Sequence, residues 1–184
     1  MKTVILDTET TGLVVEGAPL TEQPRVIEFA ALVLTDCAAP MEFSQLYNPG
    51  VPLPEEIQKI TGLSDADVSR APSWSLQEVL RLEELLAGAD WIVAHNAPFD
   101  IMMLGFEFQR VGRKWLNRQT FCTAAAAKEQ FGVRPRLAHL YRNLTGDAAP
   151  RKAHRALDDV WTLFESIKAW TEAAELVLSG TRYE

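Results

Sequence analysis

Residues 3–12 read Thr3-Val4-Ile5-Leu6-Asp7-Thr8-Glu9-Thr10-Thr11-Gly12. The apolar, β-branched run Thr3 to Asp7 predicts a short buried strand that ends in polar residues, and Thr10-Thr11-Gly12 supplies a turn. Asp7 and Glu9 stand at i and i+2, so on a strand they project from one face. Two neighbouring carboxylates repel each other unless a cation holds them. A solvated strand end is the ordinary alternative, and the pair alone does not decide between them.

Working outward, Val26 to Leu34 and Glu42 to Tyr47 predict two more strands, the latter stopped by Asn48-Pro49-Gly50. With the first strand they predict an antiparallel meander. Pro54 then permits a helix start, giving a short helix over Glu55 to Ile60 closed by Gly62. Ser75 to Leu86 places Leu76, Val79, Leu82, Leu85 and Leu86 at helical spacing. Trp91 to Ala94 predicts a fourth strand, Pro98 to Val111 a helix, and Gln119 to Cys122 a short fifth strand. Helices follow over residues 123–131, 136–144 and 153–178. This order predicts an α/β fold with a mixed five-stranded sheet, strands 1–3 antiparallel and strands 4–5 parallel, flanked by helices. The domain reading is one domain over 1–178 and a short C-terminal tail over 179–184.

The bulk composition fits a single folded domain of 184 residues, with 47% apolar and 23% charged residues. No apolar run is long enough to span a bilayer, and Asp7 interrupts the apolar run after Lys2, so no membrane partner and a cytoplasmic location are expected. Cys37 and Cys122 have no metal-type spacing and read as reduced thiols. The net charge of −7 argues against a general nucleic-acid binder. The distribution is uneven, however. Arg134, Arg136, Arg142, Arg151, Lys152 and Arg155 share their segment with one acid, Asp147, so residues 134–155 carry +5 and the remainder −12.

Two further groups lie at predicted element edges. His95-Asn96-Ala97-Pro98-Phe99-Asp100 runs from a strand end into a helix start, where the helix dipole favours Asp100. His95 reads as a hydrogen-bonded, partly buried histidine and Asn96 as a positioning residue. His154-Arg155-Ala156-Leu157-Asp158-Asp159 begins the last predicted helix. On that helix His154 and Asp158, at i and i+4, share a face that excludes Asp159.

The three groups, "VILDTETTG" at 4–12, "AHNAPFD" at 94–100 and "HRALDD" at 154–159, together resemble the DEDDh 3′-to-5′ exonucleases of the ribonuclease H-like superfamily, which include polymerase proofreading subunits. The resemblance covers nearly the whole chain and implies a ribonuclease H-like fold. It maps the four family acids onto Asp7, Glu9, Asp100 and Asp158, as metal ligands and catalytic groups, and the histidine onto His154, as general base. It implies two Mg²⁺ ions, with Mn²⁺ able to substitute. It sets Thr10, Thr11 and Leu13 against the terminal nucleotide and Thr61 at a further contact, where many members carry histidine. Asn96 joins the substrate-binding set, and Phe99 is either a wedge near the scissile end or a core residue.

The implied activity is release of nucleoside 5′-monophosphates from the 3′ end of single-stranded or frayed DNA, in proofreading or repair, with a DNA polymerase as a candidate partner. The alternatives are an exoribonuclease trimming RNA ends or short oligonucleotides, and a catalytically silent binding module. Oligomeric state is not legible. Some of Arg134, Arg136, Arg151, Lys152 and Arg155 are expected to contact the substrate backbone.

Overall fold

The computed structural model describes residues 1–36, 38–170, 173 and 175. Strands β1 (Lys2–Thr10), β2 (Val26–Thr35) and β3 (Met41–Leu46) form an antiparallel meander, and β4 (Trp91–Ala94) and β5 (Thr120–Cys122) add in parallel. The sheet order is β3-β2-β1-β4-β5. Helices α1 (Glu55–Thr61), α2 (Asp65–Ser69) and α3 (Leu76–Leu86) lie between β3 and β4. Helix α4 (Ala97–Arg110) joins β4 to β5, and α5 (Thr123–Phe131), α6 (Leu137–Thr145) and α7 (Ala156–Ala169) follow. The expected mixed α/β sheet is therefore present.

Side-chain alternation along the central strands divides the core in two. Val4 and Leu6 of β1 pack with Phe29, Ala31 and Val33 of β2 against Val79, Leu82, Met103, Leu104 and Phe108 of α3 and α4. Ile5 points the other way and packs with Ala30, Leu32 and Val93 against Leu140, Val160, Leu163 and Ile167 of α6 and α7. Each fully buried residue of this kind stabilises the fold by roughly 1.5–3 kcal/mol. The same alternation sends Asp7 and Glu9 to the Ile5 face, toward the start of α7. A small third cluster, Ile27, Leu53, Leu63 and Val68, holds α1 and α2 over β2.

Three local expectations change. β1 is longer than Thr3 to Asp7, because β2 pairs with it as far as Thr10, past an irregularity at Glu9 and Thr10. Asp7 and Glu9 therefore lie within a strand and not at its end. The short helix α2 was not expected, although Ser64 and Asp67 form a reciprocal capping box that a reading of Ser-x-x-Asp could have found. The last helix starts at Ala156 and not at 153, with Arg155 as its N-cap. Most of 171–178, all of the 179–184 tail and Cys37 lie outside the described residues. Cys122 is a free thiol. Among the described residues no helix is long and apolar enough to cross a membrane.

Candidate active site

β4 pairs with β1 only over Thr3 to Ile5, so the second half of β1 has a free edge on that side. The N-terminal end of α4 occupies it. Asp100, in the first turn of α4 and only 3% exposed, accepts hydrogen bonds from the Thr8 backbone N–H at 3.0 Å and from Thr8 Oγ1 at 2.7 Å. Thr8 points to the α4 face, as Val4 and Leu6 do. Its carboxylate partner is thereby fixed beside the strand that carries Asp7 and Glu9.

The approach from α7 differs from the helical reading. His154 lies before the helix, in a left-handed backbone conformation with φ 64°. The i to i+4 relation holds only inside a helix, so it does not carry His154 to Asp158. Instead the His154 N–H donates to Asp159 Oδ2 at 2.9 Å. One ligand atom each from Glu9, His154 and Asp159 lies within 4.8 Å of the other two. Asp158 is not in this group. Its backbone carbonyl accepts from Thr162 Oγ1 within α7. The fourth acid of the cluster is Asp159, and the assignment to Asp158 is corrected accordingly.

The acids feel one another strongly. Burial, followed by repulsion from Asp100, Asp159, Glu9 and Glu28, holds the Asp7 carboxyl well above the usual carboxylate range. Burial and then Asp159, Glu28 and Asp100 push Glu9 up to about 8, against the pull of Arg155. Burial raises Asp100 to about 7 although both Thr8 hydrogen bonds oppose it. Burial raises Asp159 to about 6 against the His154 N–H. Carboxylates gathered in this way lack countercharge, and a divalent cation with oxygen ligands is the species that supplies it. The donor set fits such an ion.

The remaining expected residues sort by whether their side chains are free. His95 is held between Thr123 Oγ1 at 3.0 Å and the Pro135 carbonyl at 2.9 Å. Burial lowers its pKa, so it is a neutral structural residue that donates through Nε2 to the carbonyl. Asn96 caps α4 in a left-handed conformation (φ 79°) and accepts from Arg134. Thr10 Oγ1 donates to the Gly12 carbonyl, and Thr11 Oγ1 accepts from the Arg25 N–H. Both hydroxyls shape the turn and leave Leu13 projecting, 79% exposed. Phe99 packs partly on the core and also lines an apolar groove of about 530 Å³ with Val14, Val15, Pro98, Met102 and Phe106.

Thr61 is only 1% exposed and uses its hydroxyl on the Ile57 carbonyl and the Leu63 N–H. Its side chain is turned inward, away from the substrate contact that the resemblance implies. The group beside that turn is the Lys152 ammonium, which packs on Gly62 so closely that a β-carbon there would meet Nζ at 2.6 Å. Among the other basic residues, Arg151 pairs with Glu165 at 3.0 Å over the Trp161 ring, and Arg155 pairs with Glu28. Arg136 and Lys152 are exposed. Ion pairing within a segment is not readable from charge spacing, so this division was invisible in the sequence.

A family model described as Exonuclease (RNase_T) matches residues 4–166. A DNA polymerase III subunit epsilon of Rickettsia prowazekii (strain Madrid E) is 32% identical over 178 residues, covering 93% of this chain and 74% of that protein. A Mycobacterium tuberculosis (strain CDC 1551 / Oshkosh) protein, whose name joins an exonuclease and an endonuclease, is 33% identical over 173 residues. There the match covers 92% of this chain but only 26% of the relative. In fold the chain is similar to the nuclease domain of 3'hExo, a DEDDh family member solved bound to rAMP. The TM-score is 0.71 at 18% identity, over 95% of this chain and 91% of that one. With the family match spanning most of its length, this chain belongs to the exonuclease family.

Proposed function

We propose that the chain hydrolyses phosphodiester bonds one at a time from the 3′ end of single-stranded or frayed DNA, releasing nucleoside 5′-monophosphates. The observation that carries this reading is the convergence of Asp7, Glu9, Asp100 and Asp159 with His154 beside the free edge of β1. These carboxylates are hard oxygen donors suited to two Mg²⁺ ions, with Mn²⁺ able to replace them. Such ions, when bound, lower the pKa of a nucleophilic water and neutralise the leaving oxygen.

The chain's own residues orient and move protons. Asp7, which feels the charges of both Asp100 and Asp159, would hold the ions together with them. His154, exposed and beside Glu9 and Asp159, takes the proton from the attacking water. His154→Ala is expected to slow single-turnover cleavage by roughly 10²–10⁴-fold. An unchanged rate would remove His154 from the mechanism. Leu13 and the apolar groove beside Phe99 suit the bases of the terminal nucleotides. The exposed cations Arg136 and Lys152 suit the backbone phosphates. Similarity to an epsilon subunit supports work beside a DNA polymerase in proofreading or repair.

The reading is tested with 5′-labelled single-stranded DNA and RNA of one sequence, in Mg²⁺, Mn²⁺ or EDTA. A metal-dependent ladder that shortens DNA from its 3′ end, faster than RNA, is expected. Preferential shortening of RNA would reassign the substrate, and no cleavage of either polymer would end the enzyme reading.

A further inference from the structure

We infer that Glu28 and Arg155 are a positioning pair that seats the start of α7 on β2 and thereby sets where His154 and Asp159 stand. This inference rests on the exonuclease reading above. Glu28 is directly opposite Glu9 in the β1–β2 ladder, hence on the same face of the sheet as the clustered acids, and is only 1% exposed. A fifth carboxylate there would add repulsion and compete for cations if left free.

It is not free. Glu28 Oε2 accepts from Arg155 Nε at 3.1 Å and from the Ala156 N–H at 3.3 Å, while Oε1 accepts from Arg155 Nη2 at 3.1 Å. One side chain thus holds the N-cap and the first residue of α7. A helix N-terminus offers unpaired N–H groups and the positive end of its dipole, both favourable to a carboxylate. The N-cap Arg155 itself makes no side-chain cap hydrogen bond to that end.

The consequence falls on the residues flanking the anchor. His154 immediately precedes it, outside the helix and in a left-handed conformation that the helix cannot impose. Asp159 follows within the first turn, and its N–H donates to the Arg155 carbonyl at 2.9 Å. The fork of two hydrogen bonds fixes the orientation of the guanidinium as well as its distance, which a lysine cannot do. Arg155 therefore acts through His154 and Asp159, and its charge is already matched before substrate arrives.

The test is a double-mutant cycle with Glu28→Gln, Arg155→Gln and the combined variant, plus Arg155→Lys, in the full chain. For each, kcat and KM on labelled single-stranded DNA, the melting temperature and Mn²⁺ affinity by calorimetry are measured. Each single change is expected to lower kcat by about 10–100-fold, the cost of losing a group that orients a metal ligand, with KM little changed and Mn²⁺ binding weakened. The combined variant should lose no more than the worse single one. Arg155→Lys should regain only part of the loss.

Additive losses would overturn the pairing. A raised KM with intact kcat in Arg155→Gln would make Arg155 a substrate contact instead. Weaker Mn²⁺ binding in Glu28→Gln with tighter binding in Arg155→Gln would make Glu28 a ligand that Arg155 masks. If the unmodified chain cleaves nothing, the exonuclease reading falls. The pair is then judged by Mn²⁺ affinity alone, equal losses in single and combined variants supporting it and additive ones refuting it. If Glu28→Gln does not fold, the kcat and KM of the two Arg155 variants decide by the same criteria.

Discussion

Asp159→Ala is expected to remove nearly all nuclease activity, whereas Asp158→Ala should leave kcat close to that of the unmodified chain. The contrast follows from where α7 begins. Asp159 shares a space of 4.8 Å with Glu9 and His154, accepts the His154 N–H and repels Asp7. Losing a group that merely orients a metal ligand costs about 10–100-fold, and losing a ligand itself should exceed that. Alanine at 159 also frees the His154 N–H, so the imidazole loses its anchor. Asp158 lies outside the cluster, and its backbone carbonyl accepts from Thr162 Oγ1 within α7. The measurement is single-turnover cleavage at saturating Mg²⁺. Equal losses in the two variants, or a larger loss at 158, would show that the helix start is misplaced.

The second large effect is on stability. Glu9, Asp100 and Asp159 are pushed up to about 8, 7 and 6, and Asp7 is raised as well. A carboxyl raised in the folded state favours folding when protonated. Its contribution is fully present below the unfolded value of about 4 and is lost as pH rises through the folded value. Metal-free protein should therefore lose stability, and its melting temperature should fall, as pH rises between about 4 and 8.

Saturating Mg²⁺ binds the ionised carboxylates and stabilises the folded state by mass action. The gap between Mg²⁺ and EDTA melting curves should then widen as pH rises across that window. Comparing the two curves at each pH removes the contribution of acids elsewhere, such as Asp67, whose capping hydrogen bonds to Ser64 lower its pKa. A gap independent of pH would mean that the acids do not titrate as a metal-free cluster.

Much of this arrangement is legible in the sequence. The run Thr3 to Leu6 and the Leu76 to Leu86 spacing define their elements because burial imposes a period of two or of nearly four. Asp7 and Glu9 share a face for the same reason, and Asp100 is placed by a helix start that Pro98 marks. The choice between Asp158 and Asp159 was not legible from helical spacing, because it turns on a helix boundary. A helix assumed to begin at 153 pairs His154 with Asp158, and one that begins at Ala156 leaves His154 outside it. The resemblance sets Thr61 at a substrate contact, yet its hydroxyl turns inward to the Ile57 carbonyl. Arg155 reads as one of a basic run, and only the fold brings it to Glu28, 127 residues away.

The central claim is that Asp7, Glu9, Asp100 and Asp159 hold divalent cations beside the free edge of β1. The most direct measurement is an anomalous difference map from crystals of the unmodified chain soaked in Mn²⁺. Peaks within bonding distance of these four carboxylates are expected, with Glu28 still paired to Arg155. A peak bonded to Asp158 with Asp159 turned away, or no peak at this cluster at saturating Mn²⁺, would contradict it.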